Sequence, residues 1–98
     1  MTNNGSVKPA NRVLALIPAF NEAERIGDVI ASTMKHVPVL VVDDGSRDDT
    51  AGVARLVGAE VICQSPNQGK GAALVAGFRY ALEQGFDAVI TLDADGQH

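Results

Sequence analysis

The strongest constraint on this chain is a repeated alternation, in which short uninterrupted apolar runs are separated by stretches of helical periodicity. The runs are Val13 to Ile17, Val39 to Val42, Glu60 to Cys63 and Ala88 to Leu92. Each has the length of a strand, and the apolar residues are consecutive, the pattern of strands covered on both faces of a parallel sheet. After the first run, Asn21 and Glu24 have the spacing of a capping box, and Ile26, Val29, Ile30 and Met34 fall on one helical face. A second helix is expected to start near Asp48 or Asp49, to turn Val53, Leu56 and Val57 inward, and to stop at Gly58. The third spans Gly71 to Gln84, with Leu74, Val75, Phe78 and Leu82 inward and Gly85 closing it. Successive strand-helix-strand units with right-handed crossovers predict an α/β class, a parallel sheet of βαβ units with helices on both sides.

A chain of 98 residues is one small domain. Residues 1–12 read as a flexible N-terminal tail and residues 13–98 as the folded domain, which is expected to be truncated at its C-terminal end because the sequence stops soon after the last apolar run. A content of 46% hydrophobic and 20% charged residues supplies a core and excludes disordered or collagen-like classes. The net charge of -4, with no run of Lys or Arg, excludes nucleic acid as a partner. It also means that a nucleoside diphosphate near carboxylates would need a bound cation. Cys63 is the only cysteine, so neither an intrachain disulfide nor a zinc cluster forms, and it reads as a small buried strand residue. No signal peptide and no bilayer-length apolar stretch is present, which predicts a cytoplasmic domain, with membrane association left to the full-length protein.

Ligands of open α/β sheets bind beyond the carboxyl ends of the strands, and the unusual polar clusters lie there. Phe20-Asn21-Glu22 follows the first run, Asp43-Asp44-Gly45-Ser46 the second, Asn67-Gln68-Gly69-Lys70-Gly71 the third, and Asp93-Ala94-Asp95 the fourth. Residues two apart on an extended segment point the same way, so Asp93 and Asp95 can approach one hard cation, Mg2+ or Mn2+. Taken alone, Asp-x-Asp before Gly96 is more readily a cap or turn than a metal site; its place at a strand's carboxyl end reverses that order. Gln97 extends the alternation and offers a neutral oxygen, against the alternative of a solvent-facing residue, and His98 reads as exposed. Asp43 is expected to satisfy loop amides while Asp44 reaches outward, where it can accept from a ribose hydroxyl or a base N–H. Ser46, Asp48, Asp49 and Thr50 read as turn and capping residues. Glu22 can accept from a ribose, and it is also favoured in a first helical turn by the dipole. Neither a Walker loop nor Gly-x-Gly-x-x-Gly after the first strand is present, which disfavours an ATPase or a dehydrogenase.

In order, Ile17-Pro18-Ala19-Phe20-Asn21-Glu22, Val41-Val42-Asp43-Asp44-Gly45-Ser46-Arg47-Asp48, Asn67-Gln68-Gly69-Lys70-Gly71 and Asp93-Ala94-Asp95-Gly96-Gln97-His98 resemble the amino-terminal half of glycosyltransferase family 2. The likeness runs from Val13 to the end and is strongest to the dolichyl-phosphate mannose synthase and polyprenyl-phosphate sugar transferase branch. It implies the Rossmann-like nucleotide-binding half of a GT-A fold, with strand order 3-2-1-4 and an open outer edge on the fourth strand, a route to self-association. It implies Pro18, Phe20, Glu22 and Asp44 around the nucleoside of a GDP- or UDP-linked sugar, and Asp93 and Asp95 holding Mg2+ or Mn2+ on the diphosphate. Gln97 matches a further metal ligand of that branch, and Lys70 a frequent basic position. The implied reaction is inverting transfer to an acceptor such as a polyprenyl phosphate or a glycan, with any general base beyond His98 and no catalytic residue in this chain. Two alternatives stand beside it: a non-catalytic, inert nucleotide-binding fragment, and a receiver-type phosphoacceptor domain suggested by Val41-Val42-Asp43-Asp44. A receiver would carry its acidic pair after the first strand, and a sugar nucleotidyltransferase would carry a Gly-rich loop in place of Pro18-Ala19-Phe20-Asn21.

Overall fold

In the computed structural model, which describes residues 11–96, the first apolar run forms the central strand β1 (Val13–Ala19). The elements that follow are α1 (Ala23–Thr33), β2 (Val39–Asp43), α2 (Thr50–Val57), β3 (Glu60–Cys63), α3 (Lys70–Glu83) and β4 (Ala88–Thr91). All pairings are parallel and the sheet order is β3-β2-β1-β4, as the family resemblance implied. Registers such as Ile17 beside Val41 and Leu14 beside Val89 bring the carboxyl ends of β1, β2 and β4 to one edge.

The alternation of β1 and β2 divides the core in two. Ala15, Ile17, Ala19, Val39 and Val41 pack with Ile26 and Ile30 of α1 and Ala54 of α2. Leu14, Leu16, Leu40 and Val42 face the other way, onto Ala73 and Ala81 of α3. The chain runs outward from β1 through β2 to β3 and then returns to the far side of β1. With crossovers of one hand, that reversal puts α3 on the face opposite α1 and α2.

The packing face of α3 differs from the sequence expectation. Ala73, Gly77 and Ala81 are buried, while Val75, Phe78 and Leu82 are 54%, 44% and 79% exposed; of the four expected inward residues only Leu74 joins the core. The reason is steric, because the sheet presents four bulky aliphatic side chains and only a seam of small residues at i, i+4 and i+8 lets a helix come down on them. A Cβ on Gly77 would fall 2.3 Å from Leu16 Cδ1. On the other face, Leu56 is 88% exposed and Met34 39%, and α2 rests on Thr50, Ala54, Val53 and Val57 instead. Gly58 terminates α2 with φ 117°, as expected of a left-handed cap.

Cys63 is exposed, contrary to the buried reading, because β3 is an edge strand; its sulfur accepts from Arg55 Nη2 at 3.6 Å. The opposite edge is β4, which pairs only with β1 among the described residues and leaves Ile90 44% exposed. Arg12, just before β1, donates its backbone N–H to Asp87 Oδ2 at 2.8 Å and stacks 4.5 Å above Phe86. No helix among the described residues is long and apolar enough to cross a membrane.

Candidate functional site

The reversal between β1 and β4 opens a crevice where their carboxyl ends diverge. A cleft of about 370 Å³ lies there, lined by Pro18, Phe20 and Glu22 from the end of β1, Asp44 from β2, Asn67, Gly69 and Lys70 from the approach to α3, and Asp93, Ala94 and Asp95 beyond β4. That volume is in the range of small-molecule sites. Pro18, Phe20, Glu22, Asp44, Lys70, Asp93 and Asp95, drawn from four separate segments of the chain, therefore line one cavity. Gln97 lies outside the described residues, as does His98.

Two loops are knitted together to build the near wall. Asn21 takes a positive φ of 54°, a conformation that asparagine tolerates better than most residues. Its N–H donates to Ser46 Oγ at 2.8 Å, and its Oδ1 accepts from the Arg47 N–H at 2.7 Å. The capping box expected between Asn21 and Glu24 does not form: the N-cap is Glu22, and the Asn21 side chain is committed to the neighbouring loop. The first amides of α1 are satisfied across the chain instead, Glu22 N–H by Thr50 Oγ1 at 3.0 Å and Ala23 N–H by Asp48 Oδ2 at 3.1 Å. The Thr50 hydroxyl, foremost, holds the Asp48 carboxyl below its ordinary pKa, and the Ala23 amide adds to the effect. Asp43, as expected, accepts from the Ser46 amide and hydroxyl.

Asp44 is only 5% exposed, against the expectation that it reaches outward. Its Oδ1 accepts from Gln68 N–H at 2.7 Å and Gln64 Nε2 at 3.1 Å, and its Oδ2 from Gly69 N–H at 2.8 Å. Asn67 Nδ2 donates to the Asp44 carbonyl at 2.9 Å. Asp44 thus clamps the turn that leads into α3, and a carboxylate with about four acceptor sites keeps one in reserve beyond these three bonds. The turn fits only because Gly45 has no side chain: a Cβ there would lie 2.8 Å from Asn67 N.

The far wall carries the acidic pair. β4 stops at Thr91, and Asp93 to Gly96 form a turn closed by Gly96 N–H to the Asp93 carbonyl at 3.1 Å, with Gly96 at φ 81°. The extended geometry expected of Asp93-Ala94-Asp95 is therefore replaced by a turn, because the glycine supplies a conformation that L residues avoid. Both carboxylates still line the cleft, while the methyl of Ala94 is buried in the core between them. Lys70 Nζ approaches Asp93 Oδ1 at 3.6 Å from across the mouth.

Arg25 was not singled out by the sequence. Its guanidinium donates to Glu22 Oε1 from Nε at 2.9 Å and Nη2 at 2.5 Å, and its pKa is raised mainly by that carboxylate, with a smaller contribution from Asp95. The i, i+3 spacing from Glu22 is the available signal. Among the described residues no group of three or more His, Cys, Asp or Glu forms a metal cage. Two hard carboxylates on a cleft wall, with a cation already drawn to one of them, suit Mg2+ or Mn2+, which bind through one or two carboxylates and complete their shells with substrate phosphates and water.

Residues 15–98 match the family model described as Glycosyl transferase family 2. The chain is 41% identical over 95 residues to the undecaprenyl-phosphate mannosyltransferase of Micrococcus luteus, covering 89% of this chain and 39% of that protein. It is 34% identical over 102 residues to the polyprenol monophosphomannose synthase of Mycolicibacterium smegmatis, covering 95% and 38%. The glucosyl-3-phosphoglycerate synthase of Mycobacterium tuberculosis superposes with a TM-score of 0.72 at 32% identity, over 88% of this chain and 35% of that one. Structures of that enzyme include complexes with Mn2+ and UDP-glucose and with Mg2+ and UDP. The chain spans less than two-fifths of the length of each of these proteins.

Proposed function

The chain belongs to glycosyl transferase family 2, and on that premise we propose that its cleft binds the nucleoside diphosphate of a sugar donor with a divalent cation. The observation that carries this reading is that seven residues from four separate segments of the chain line one cavity at the β1/β4 reversal. Phe20, 47% exposed at the rim beside Pro18, offers an aromatic surface for the base, and Glu22 and the remaining acceptor site of Asp44 offer oxygens to ribose or base donors. Lys70, on the first turn of α3, reaches the diphosphate, where the helix dipole also favours negative charge. Asp93 and Asp95, with Gln97 as a third ligand, hold Mg2+ or Mn2+; when bound, the ion offsets the charge that develops on the departing diphosphate.

The acceptor we propose is a polyprenyl phosphate, supported by the names of the Micrococcus and Mycolicibacterium relatives. A phosphate oxygen of the acceptor forms the new bond to the anomeric carbon as the bond to the nucleoside diphosphate breaks, with inversion at that carbon. Such an oxygen is already ionised at neutral pH, so no general base is required of these residues. The chain's own share is to bind and orient the donor; transfer by the 98-residue chain alone is not expected. A membrane-associated acceptor would bring the complete protein to a membrane surface. Calorimetric titration of the full-length protein with GDP- and UDP-sugars in the presence of Mn2+ tests the reading: saturable binding of one of them supports it, and no binding of either refutes it.

A further inference from the structure

The ion pair between Lys70 and Asp93 joins a residue placed at the diphosphate to one placed on the metal. Lys70 Nζ lies 3.6 Å from Asp93 Oδ1, and the two side chains are 67% and 47% exposed. A divalent ion bonds a carboxylate oxygen at about 2.0–2.1 Å and brings its remaining waters with it, so that hydrated ion and an ammonium 3.6 Å from the same oxygen compete for one region. Resting on the donor-site reading above, the geometry points to Lys70 as a stand-in cation. It neutralises Asp93 while the cleft is empty, and it transfers to the diphosphate when the donor enters, which frees Asp93 for the metal.

The local structure permits the exchange. Lys70 is the first residue of α3, and its side chain is 67% exposed, so the stem has room to swing. The helix behind it is fixed on the sheet by Ala73 and Gly77. The consequence is a coupling: nucleotide strengthens metal binding by removing the competitor, and by linkage metal strengthens nucleotide binding by the same factor.

Mn2+ binding by the full-length protein, followed by the EPR signal of the free ion with and without UDP, tests this. Lys70→Ala keeps the fold, since the side chain is exposed and alanine favours the helix, and circular dichroism verifies it. Without UDP, Lys70→Ala is expected to bind Mn2+ about two- to fivefold more tightly than the parent, the range for losing an exposed ion pair. Lys70→Arg should stay near the parent, and Lys35→Ala, which removes one positive charge elsewhere, should change nothing. With saturating UDP, which draws Lys70 off Asp93 in the parent, the gap should close, so that UDP strengthens Mn2+ binding less in Lys70→Ala than in the parent. Unchanged or weaker Mn2+ binding by Lys70→Ala without UDP, or an equal gain in Lys35→Ala, overturns the inference while leaving the donor site standing. If the parent takes up no Mn2+ with or without UDP, the metal site itself is wrong and this inference falls with it.

Discussion

Substituting Gly77 by alanine tests how α3, and with it Lys70, is held on the sheet. The added Cβ would lie 2.3 Å and 2.4 Å from Leu16 Cδ1 and Cδ2 and 2.9 Å from its Cγ, where carbon contacts are comfortable at about 3.5–4.0 Å. Leu16 is fully buried, so it has no solvent to swing into. Overpacking of this kind costs about 1–3 kcal/mol, and a clash with three atoms belongs at the upper end. Alanine recovers about 0.8–1.0 kcal/mol of helix propensity, leaving a net loss of about 2 kcal/mol. For a domain of this size that lowers the melting temperature by roughly 8–16 °C. Gly71→Ala in the same helix meets nothing within 4 Å and should instead raise stability, by up to about 1 kcal/mol. Thermal and denaturant unfolding of both variants, with Leu16→Val in the parent and Gly77→Ala backgrounds, reads the effect. The leucine trimming should be destabilising alone and neutral or stabilising beside Ala at 77, a coupling that contact demands. If Gly77→Ala stabilises as Gly71→Ala does, the small-residue seam does not face the sheet and the packing argument is wrong.

Two further outcomes follow from the loops. Asp44→Asn cannot accept from both the Gln68 and Gly69 amides, so it should lose about 1–3 kcal/mol of stability and weaken nucleotide binding, with faster amide exchange confined first to residues 67–69. Asp48 has a depressed folded pKa, so its contribution is fully present above its unfolded value near about pH 4 and is lost as pH falls through the lower folded value. Asp48→Asn should therefore flatten the acid limb of a melting-temperature profile below about pH 5 and leave its slope near neutral pH unchanged; an unaltered acid limb would show that the Asp48 carboxylate contributes nothing there.

Strands and the residues that line the cleft were legible for the same reason. Consecutive apolar residues such as Val39 to Val42 belong to strands buried on both faces, and once those were placed, Glu22, Asp44 and Asp93 necessarily fell at one edge. Helix faces were not legible, because periodicity counts large apolar residues while the sheet selected small ones: Ala73, Gly77 and Ala81 lie under α3, and Phe78 and Leu82 do not. Local rules also misread Asn21, whose side chain bonds Arg47 in another loop, and Asp44, whose carboxylate is drawn inward by amides some twenty residues away. Such partners are invisible to spacing. Cys63 illustrates the converse, an apolar-run residue left exposed because its strand sits at the sheet edge.

Asp93 and Asp95 are proposed to hold a divalent cation against a nucleoside diphosphate in the β1/β4 cleft. Anomalous diffraction from crystals of the full-length protein grown with Mn2+ and UDP locates the ion directly. The expected result is one Mn2+ peak within coordination distance of a carboxylate oxygen of Asp93 or Asp95 and of a UDP phosphate oxygen, with the uracil beside Phe20. UDP bound with no Mn2+ at those carboxylates, or Mn2+ and UDP bound elsewhere on the protein, would contradict it.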